Sequence, residues 1–225
     1  MASYFEELNR EIQRLGDVDL AEQMKAYIKN QADFHGVKSP ARKETLKSYW
    51  TRNGIPSEPD MEREITDAWD MKHRELKYCA MEVLNRGHKE WTSQSWQLFE
   101  HMATTASWWD TVDYIAATLV HKWSMKFPNG YEKVTERWSK SEDMWLNRMA
   151  IIFQLKCKDK TRTDLLERYI VPHIGSGEFF HQKAIGWALR NHSRVDAKWV
   201  IDFTERHHLK PLSKREALRL IKTTD

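Results

Sequence analysis

The sequence predicts an all-α protein, a solenoid of about six stacked helical hairpins with a concave wall. Only eight of the 225 residues are glycine and six are proline, and most of them interrupt apolar segments. Between these breaks, segments of about 10–18 residues carry apolar side chains at helical spacing, and none alternates as a strand does. Similar segments recur every 35 residues, a period typical of paired-helix repeats.

Local signals mark individual helices along the chain. The clearest apolar stripes are Phe5/Leu8/Ile12/Leu15, Leu76/Cys79/Ala80/Val83/Leu84, Leu146/Met149/Ala150/Phe153 and Leu165/Leu166/Tyr169/Ile170. Some prolines are expected in a first helical turn, where a missing N–H is tolerated: Pro40, Pro59, Pro128 and Pro211. Two Ser-x-x-Glu capping boxes are also expected, Ser139 with Glu142 and Ser213 with Glu216.

The repeat predicts which residues share a position on the wall. Residues 141–152 and 176–187 align at an offset of 35. The same step makes Asp113, Arg148 and Lys183 equivalent on three successive helices, with Tyr78 one step earlier. We therefore expect these side chains to line up along the inner helices of the solenoid.

Aromatic and basic residues surround this row at helical spacing. Trp109 lies four residues before Asp113, Trp187 lies four after Lys183, and Arg190 follows one turn later. Lys156, Lys158, Lys160 and Arg162 extend the basic surface. Ordinary explanations exist: Trp187 as a core residue, Arg148 as a partner of Asp113, and residues 156–162 as a solvated turn. Two tryptophans, one acid and a row of bases on one face nevertheless favour a ligand site.

Composition narrows the classes of function. Residues 1–112 hold 15 Lys and Arg against 19 Asp and Glu, and residues 113–225 hold 21 against 14, so the second half suits a polyanion. No apolar run is long enough to span a bilayer, and the N-terminus lacks a secretory segment, so a bacterial cytoplasm is expected. Cys79 and Cys157 are expected to be buried thiols. Motifs for metal, nucleotide or hydrolase sites are absent.

Blocks at residues 107–113, 145–155, 179–190 and 212–217 closely resemble the AlkD-type DNA alkylation repair glycosylases. The resemblance covers nearly the whole chain. It implies one domain over residues 1–225, a right-handed α-solenoid of HEAT-like hairpins with a concave DNA-binding face. It also implies excision of cationic N3- and N7-alkylated purines from duplex DNA without base flipping, a mode of recognition that would permit bulky adducts. For a chain of this shape and size we expect a monomer, and we expect neither a cofactor nor a metal ion.

Carried onto this chain, the resemblance implies a catalytic trio of Trp109, Asp113 and Trp187. It implies DNA contacts by Tyr27, Arg148, Lys156, Lys183, Arg190, Lys214 and Arg215. The alternative is a non-catalytic helical-repeat module that binds DNA structures or a protein partner through the same groove. The two differ in their dependence on the Asp113 carboxylate.

Overall fold

The computed structural model describes residues 3–57 and 60–221, and these residues are helical with no β-strand. The all-α prediction is confirmed. The chain divides into an N-terminal unit, Met1–Leu98, and a C-terminal unit, Phe99–Asp225. Among the described residues, no helix is both long and apolar enough to span a membrane.

The N-terminal unit contains the first helices of the chain. They are α1 (Tyr4–Gln13), α2 (Val18–Tyr27), α3 (Ser39–Asn53), α4 (Asp60–Asp70) and α5 (Arg74–Arg86), and α6 (Trp96–Thr105) contains the boundary. Ser3 forms a capping box with Glu6 at the start of α1, and Asp17 caps α2. These side chains satisfy backbone N–H groups that the first helical turn leaves unpaired.

The C-terminal unit contains the remaining helices. They are α7 (Trp109–Tyr114), α8 (His121–Lys126), α9 (Tyr131–Ser139), α10 (Met144–Ile152), α11 (Thr163–Ile170), α12 (Phe179–His192), α13 (Ala197–Arg206) and α14 (Pro211–Leu218). A π-helical segment, Ile115–Val120, joins α7 to α8. The core includes Trp123, Trp138, Met149, Ile185 and Phe203, each almost fully buried.

The 35-residue period is visible in where the helices begin. α3, α5, α7, α10 and α12 begin at Ser39, Arg74, Trp109, Met144 and Phe179, each 35 residues after the one before. Asp113, Arg148 and Lys183 are therefore each the fifth residue of their helix, as the repeat predicts. Since α7 packs against α10 and α10 against α12, the three positions are neighbours in the C-terminal unit.

The predicted helix starts are only partly confirmed. Pro40 and Pro211 lie in the first turns of α3 and α14. Pro128 does not, because it lies in the turn before α9, which begins at Tyr131. Pro59 lies outside the described residues.

Both predicted capping boxes are wrong. Ser139 is the last residue of α9, and α10 is capped by Asp143, which accepts hydrogen bonds from the N–H groups of residues 145 and 146. Ser213 lies inside α14 and donates to the carbonyl of Gln182. The cap position of α14 is Lys210, so Glu216 has no capping role there.

One glycine allows α14 to pack closely on α12. A Cβ atom at Gly186 would lie 2.5 Å from the Cβ of Glu216 and 3.0 Å from the carbonyl oxygen of Ser213. Any side chain at this position would push the two helices apart. The contact fixes the height of Glu216 above α12.

The two cysteines are free thiols. Cys79 is fully buried, and burial raises its pKa to about 12. Cys157 is half-buried with a pKa raised to about 11 by burial, and its Sγ lies 3.5 Å from Nδ1 of His121. Both thiols are therefore protonated at neutral pH.

Candidate active site

Asp113 and Arg148 form the centre of the candidate site. Nε and Nη2 of Arg148 donate to the two carboxylate oxygens of Asp113 over 2.7 and 2.9 Å, and Nη1 donates to the carbonyl of Phe180 over 2.8 Å. The Asp113 side chain is 18% exposed and the Arg148 side chain is 5% exposed. The guanidinium thus links α7, α10 and α12 at the shared register position.

Burial sets the acidity of Asp113. Loss of water around the carboxylate raises its pKa above the usual value, and the nearby charge of Asp110 acts in the same direction. The hydrogen bonds and charge of Arg148 act in the opposite direction and hold the anion. A carboxylate of this kind is preorganised: its position is fixed while its remaining exposed surface faces a pocket.

That pocket has a volume of about 310 Å³ and is lined by residues of the C-terminal unit. The lining comprises Trp109, Asp113, Arg148, Phe179, Phe180, Lys183, Trp187, Arg190 and Glu216. Trp109 and Asp113 share one face of α7 because they are four residues apart, and Lys183, Trp187 and Arg190 share one face of α12. The predicted trio of Trp109, Asp113 and Trp187 is therefore brought to one pocket.

An aromatic cluster supports this pocket from behind. The ring centroid of Phe180 lies 4.8 Å from that of Trp145 and 5.2 Å from that of Trp108, and the two tryptophan rings are 5.7 Å apart. Such contacts fix Phe180, whose carbonyl receives the Arg148 hydrogen bond. Sequence reasoning did not single out Phe179 or Phe180, although the adjacent aromatic pair at the start of a helix was a usable signal.

Glu216 is the second carboxylate of the pocket. Nζ of Lys183 donates to its Oε1 over 3.0 Å, and Nη1 of Arg190 donates to its Oε2. The Lys183 hydrogen bond, with the charges of Lys183, Arg190 and Arg219, holds the pKa of Glu216 below its usual value. The ionised form is therefore stabilised by the two cations of α12.

The family with the description DNA alkylation repair enzyme matches residues 8–221 of the chain. The chain belongs to this family. A solved structure described as a predicted DNA alkylation repair enzyme from Enterococcus faecalis has a TM-score of 0.87 and 27% sequence identity, over 92% of this chain and 97% of that one. No curated protein matches the chain. Its role therefore lies in the repair of alkylated DNA, which makes DNA the substrate to consider.

Other residues expected to contact DNA in this family member lie outside the pocket. Lys156 is exposed and donates to Oγ1 of Thr118 over 2.8 Å. Burial and the charge of Lys122 lower its pKa below that of a free lysine. Lys214 and Arg215 are exposed on α14. All three cations are therefore exposed.

The remaining predictions concern Tyr27 and the basic segment after α10. Tyr27 ends α2 in the N-terminal unit and is 71% exposed. The Arg162 side chain is 47% exposed and pairs with Glu132 over 2.8 Å and with Asp164 over 2.6 Å. The DNA contacts of Tyr27, Lys156, Lys214 and Arg215 stay predictions. No group of three or more potential metal ligands occurs within the described residues.

Proposed function

We propose that this family member is a monofunctional DNA glycosylase that excises cationic N3- and N7-alkylated purines from duplex DNA. One observation carries the proposal: the Asp113 carboxylate, held by Arg148, faces a pocket that also holds the rings of Trp109 and Trp187. An anion between aromatic faces suits a substrate whose positive charge moves during the reaction.

The proposed reaction breaks the bond between C1′ of the deoxyribose and the purine nitrogen. The bonding electrons go to the purine, which leaves as a neutral base, so no general acid is needed. Positive charge develops on the sugar, where Asp113 stabilises it and positions a water molecule. The water oxygen bonds to C1′, and its proton passes to the solvent. No cofactor takes part.

The two tryptophans bind the cationic nucleotide by cation–π contact, each contributing about 1–2 kcal/mol in a desolvated site. Lys183 and Arg190, with Tyr27, Lys156, Lys214 and Arg215, bind phosphates and set the position of the duplex. Arg148 contributes mainly by orienting Asp113, because its donors are occupied by that residue and by Phe180. In this proposal the lesion is recognised from the backbone, without extrusion of the base, by a single-domain monomer in the bacterial cytoplasm.

The alternative is a non-catalytic module in which the Asp113–Arg148 pair only joins neighbouring helices. The bidentate geometry of this pair is the observation that favours it. In that case DNA binding would persist without chemistry.

The test is single-turnover release of 7-methylguanine from a short duplex by the wild type and by Asp113→Asn. The variant keeps the shape of the side chain and should lose excision by about 10²- to 10³-fold, while binding DNA normally. Asp110→Asn makes the same chemical change on the same helix, outside the pocket lining, and should retain excision. Equal release by the wild type and Asp113→Asn would reject the role assigned to Asp113. No release by either, with binding intact, would reject the glycosylase proposal and favour the non-catalytic module.

A further inference from the structure

The pocket lining contains two acidic residues, Asp113 and Glu216. The sequence patterns placed Asp113 there but not Glu216. Its side chain is 12% exposed, and both of its oxygens bind cations of α12. Lys183 and Arg190 are seven residues apart and flank Trp187 on the same face. The Glu216 carboxylate therefore bridges the two cations that lie on either side of Trp187.

The packing of α14 on α12 makes this carboxylate a fixed group. Gly186 lies directly under Glu216, and a Cβ there would meet the Cβ of Glu216 at 2.5 Å. Ser213, one turn earlier on α14, donates to the carbonyl of Gln182 over 3.1 Å. The close approach at Gly186, the Ser213 hydrogen bond and two ion pairs thus hold the same turn of α14 in one position.

The lining of the pocket contains three cations and two carboxylates. Arg148, Lys183 and Arg190 face Asp113 and Glu216. Removing Glu216 would leave three positive charges against one negative charge in a small, aromatic pocket. Such a pocket attracts phosphate more strongly but repels a positively charged base.

We propose that Glu216 is a positioning and specificity-determining residue: it orients Lys183 and Arg190 for the DNA backbone and lowers the positive charge of the pocket so that a cationic base is accepted. This inference rests on the proposed function. Lys183 keeps two further N–H donors beyond its bond to Glu216, and these are the donors that reach a phosphate.

The decisive variant is Glu216→Gln, which keeps the side-chain volume but removes the charge and replaces one of the two acceptor oxygens with an NH₂ donor. Single-turnover excision of 7-methylguanine should fall by about tenfold to a hundredfold, because small displacements of groups that hold a reactant have effects of this size. Affinity for undamaged duplex should stay equal or rise. The salt dependence of that binding should become steeper by about one unit of log K per log salt, since a cation is released from Glu216.

Two further variants separate charge from position and from general effects. Glu216→Asp restores the charge on a shorter side chain, so the salt dependence should return to that of the wild type while excision stays reduced. Glu205→Gln on α13 removes an exposed carboxylate away from the pocket and should change neither property. Thermal unfolding of each variant is measured in parallel.

Excision by Glu216→Gln at the wild-type rate with an unchanged salt dependence would overturn the proposal. So would a parallel fall in melting temperature, excision and affinity for undamaged duplex, because that pattern describes a structural residue. If the wild type itself releases no 7-methylguanine, the proposed function fails, whereas the salt dependence for undamaged duplex still tests the charge assigned to Glu216.

Discussion

Two carboxylates, one in each unit, accept hydrogen bonds from different kinds of partner. Glu75 on α5 is 0% exposed and accepts bonds from three consecutive backbone N–H groups of residues 35–37, over 3.0 to 3.1 Å. Asp113 on α7 is 18% exposed and is held by the side chain of Arg148. Glu75 closes a turn of its own unit, whereas Asp113 forms part of a pocket wall.

The comparison shows that complete hydrogen bonding does not by itself distinguish a structural acid from a reactive one. Each oxygen of both carboxylates accepts at least one hydrogen bond. What differs is the nature of the partner and the access that remains. Backbone donors surround Glu75 and leave no surface, while one guanidinium holds Asp113 from behind and leaves the side toward Trp109 and Trp187 open.

The largest effect expected in this comparison comes from replacing Arg148, the partner of Asp113. Arg148→Met should lower single-turnover excision at neutral pH by about a hundredfold, because Asp113 loses its orientation and the cation that favours its ionised form. Since Arg148 lowers the pKa of Asp113, the acid limb of the excision profile should also move to higher pH. A variant whose pH profile matches that of the wild type would contradict the role assigned to Arg148.

The corresponding change at the other carboxylate should affect stability instead. In the wild type, three backbone N–H groups donate to the Glu75 carboxylate. Glu75→Gln replaces this charged acceptor with a neutral amide, so the free energy of unfolding should fall by about 2–3 kcal/mol. Denaturant titration measures this loss. At low temperature, where the variant is folded, its excision rate should equal that of the wild type. A loss of excision without a loss of stability would contradict the purely structural role assigned to Glu75.

The smallest expected effect is on the pH dependence of stability, because low pH acts on the fold as well as on the site. His181 is buried between Ser176 and Asn147, and burial lowers its pKa from 6.5 to about 4. Between these values the unfolded chain binds a proton that the folded chain does not, so stability decreases as pH falls through this window. His181→Gln should weaken the dependence of melting temperature on pH there, while the acid limb of excision persists. Loss of both together would assign that limb to unfolding.

Local sequence signals failed where they ignored the third dimension. The Ser-x-x-Glu spacing at Ser139 and Ser213 matches a capping box, but the pattern does not say where a helix begins, and Asp143 and Lys210 occupy the cap positions. The clearest error concerns Glu216, which the sequence pattern assigned to a capping box. Its charge is used by residues 26 and 33 positions away, which a pattern of four residues cannot reveal.

The sequence by itself determined the helical class, the 35-residue register and the helix faces that carry Trp109 with Asp113 and Lys183 with Trp187. These features depend on neighbours within one or two turns, so periodicity is enough to predict them. Only the tertiary structure decided that Arg148 is buried against Asp113 and that Glu216 joins the pocket. Those contacts depend on how closely whole helices pack, which the absence of a side chain at Gly186 permits.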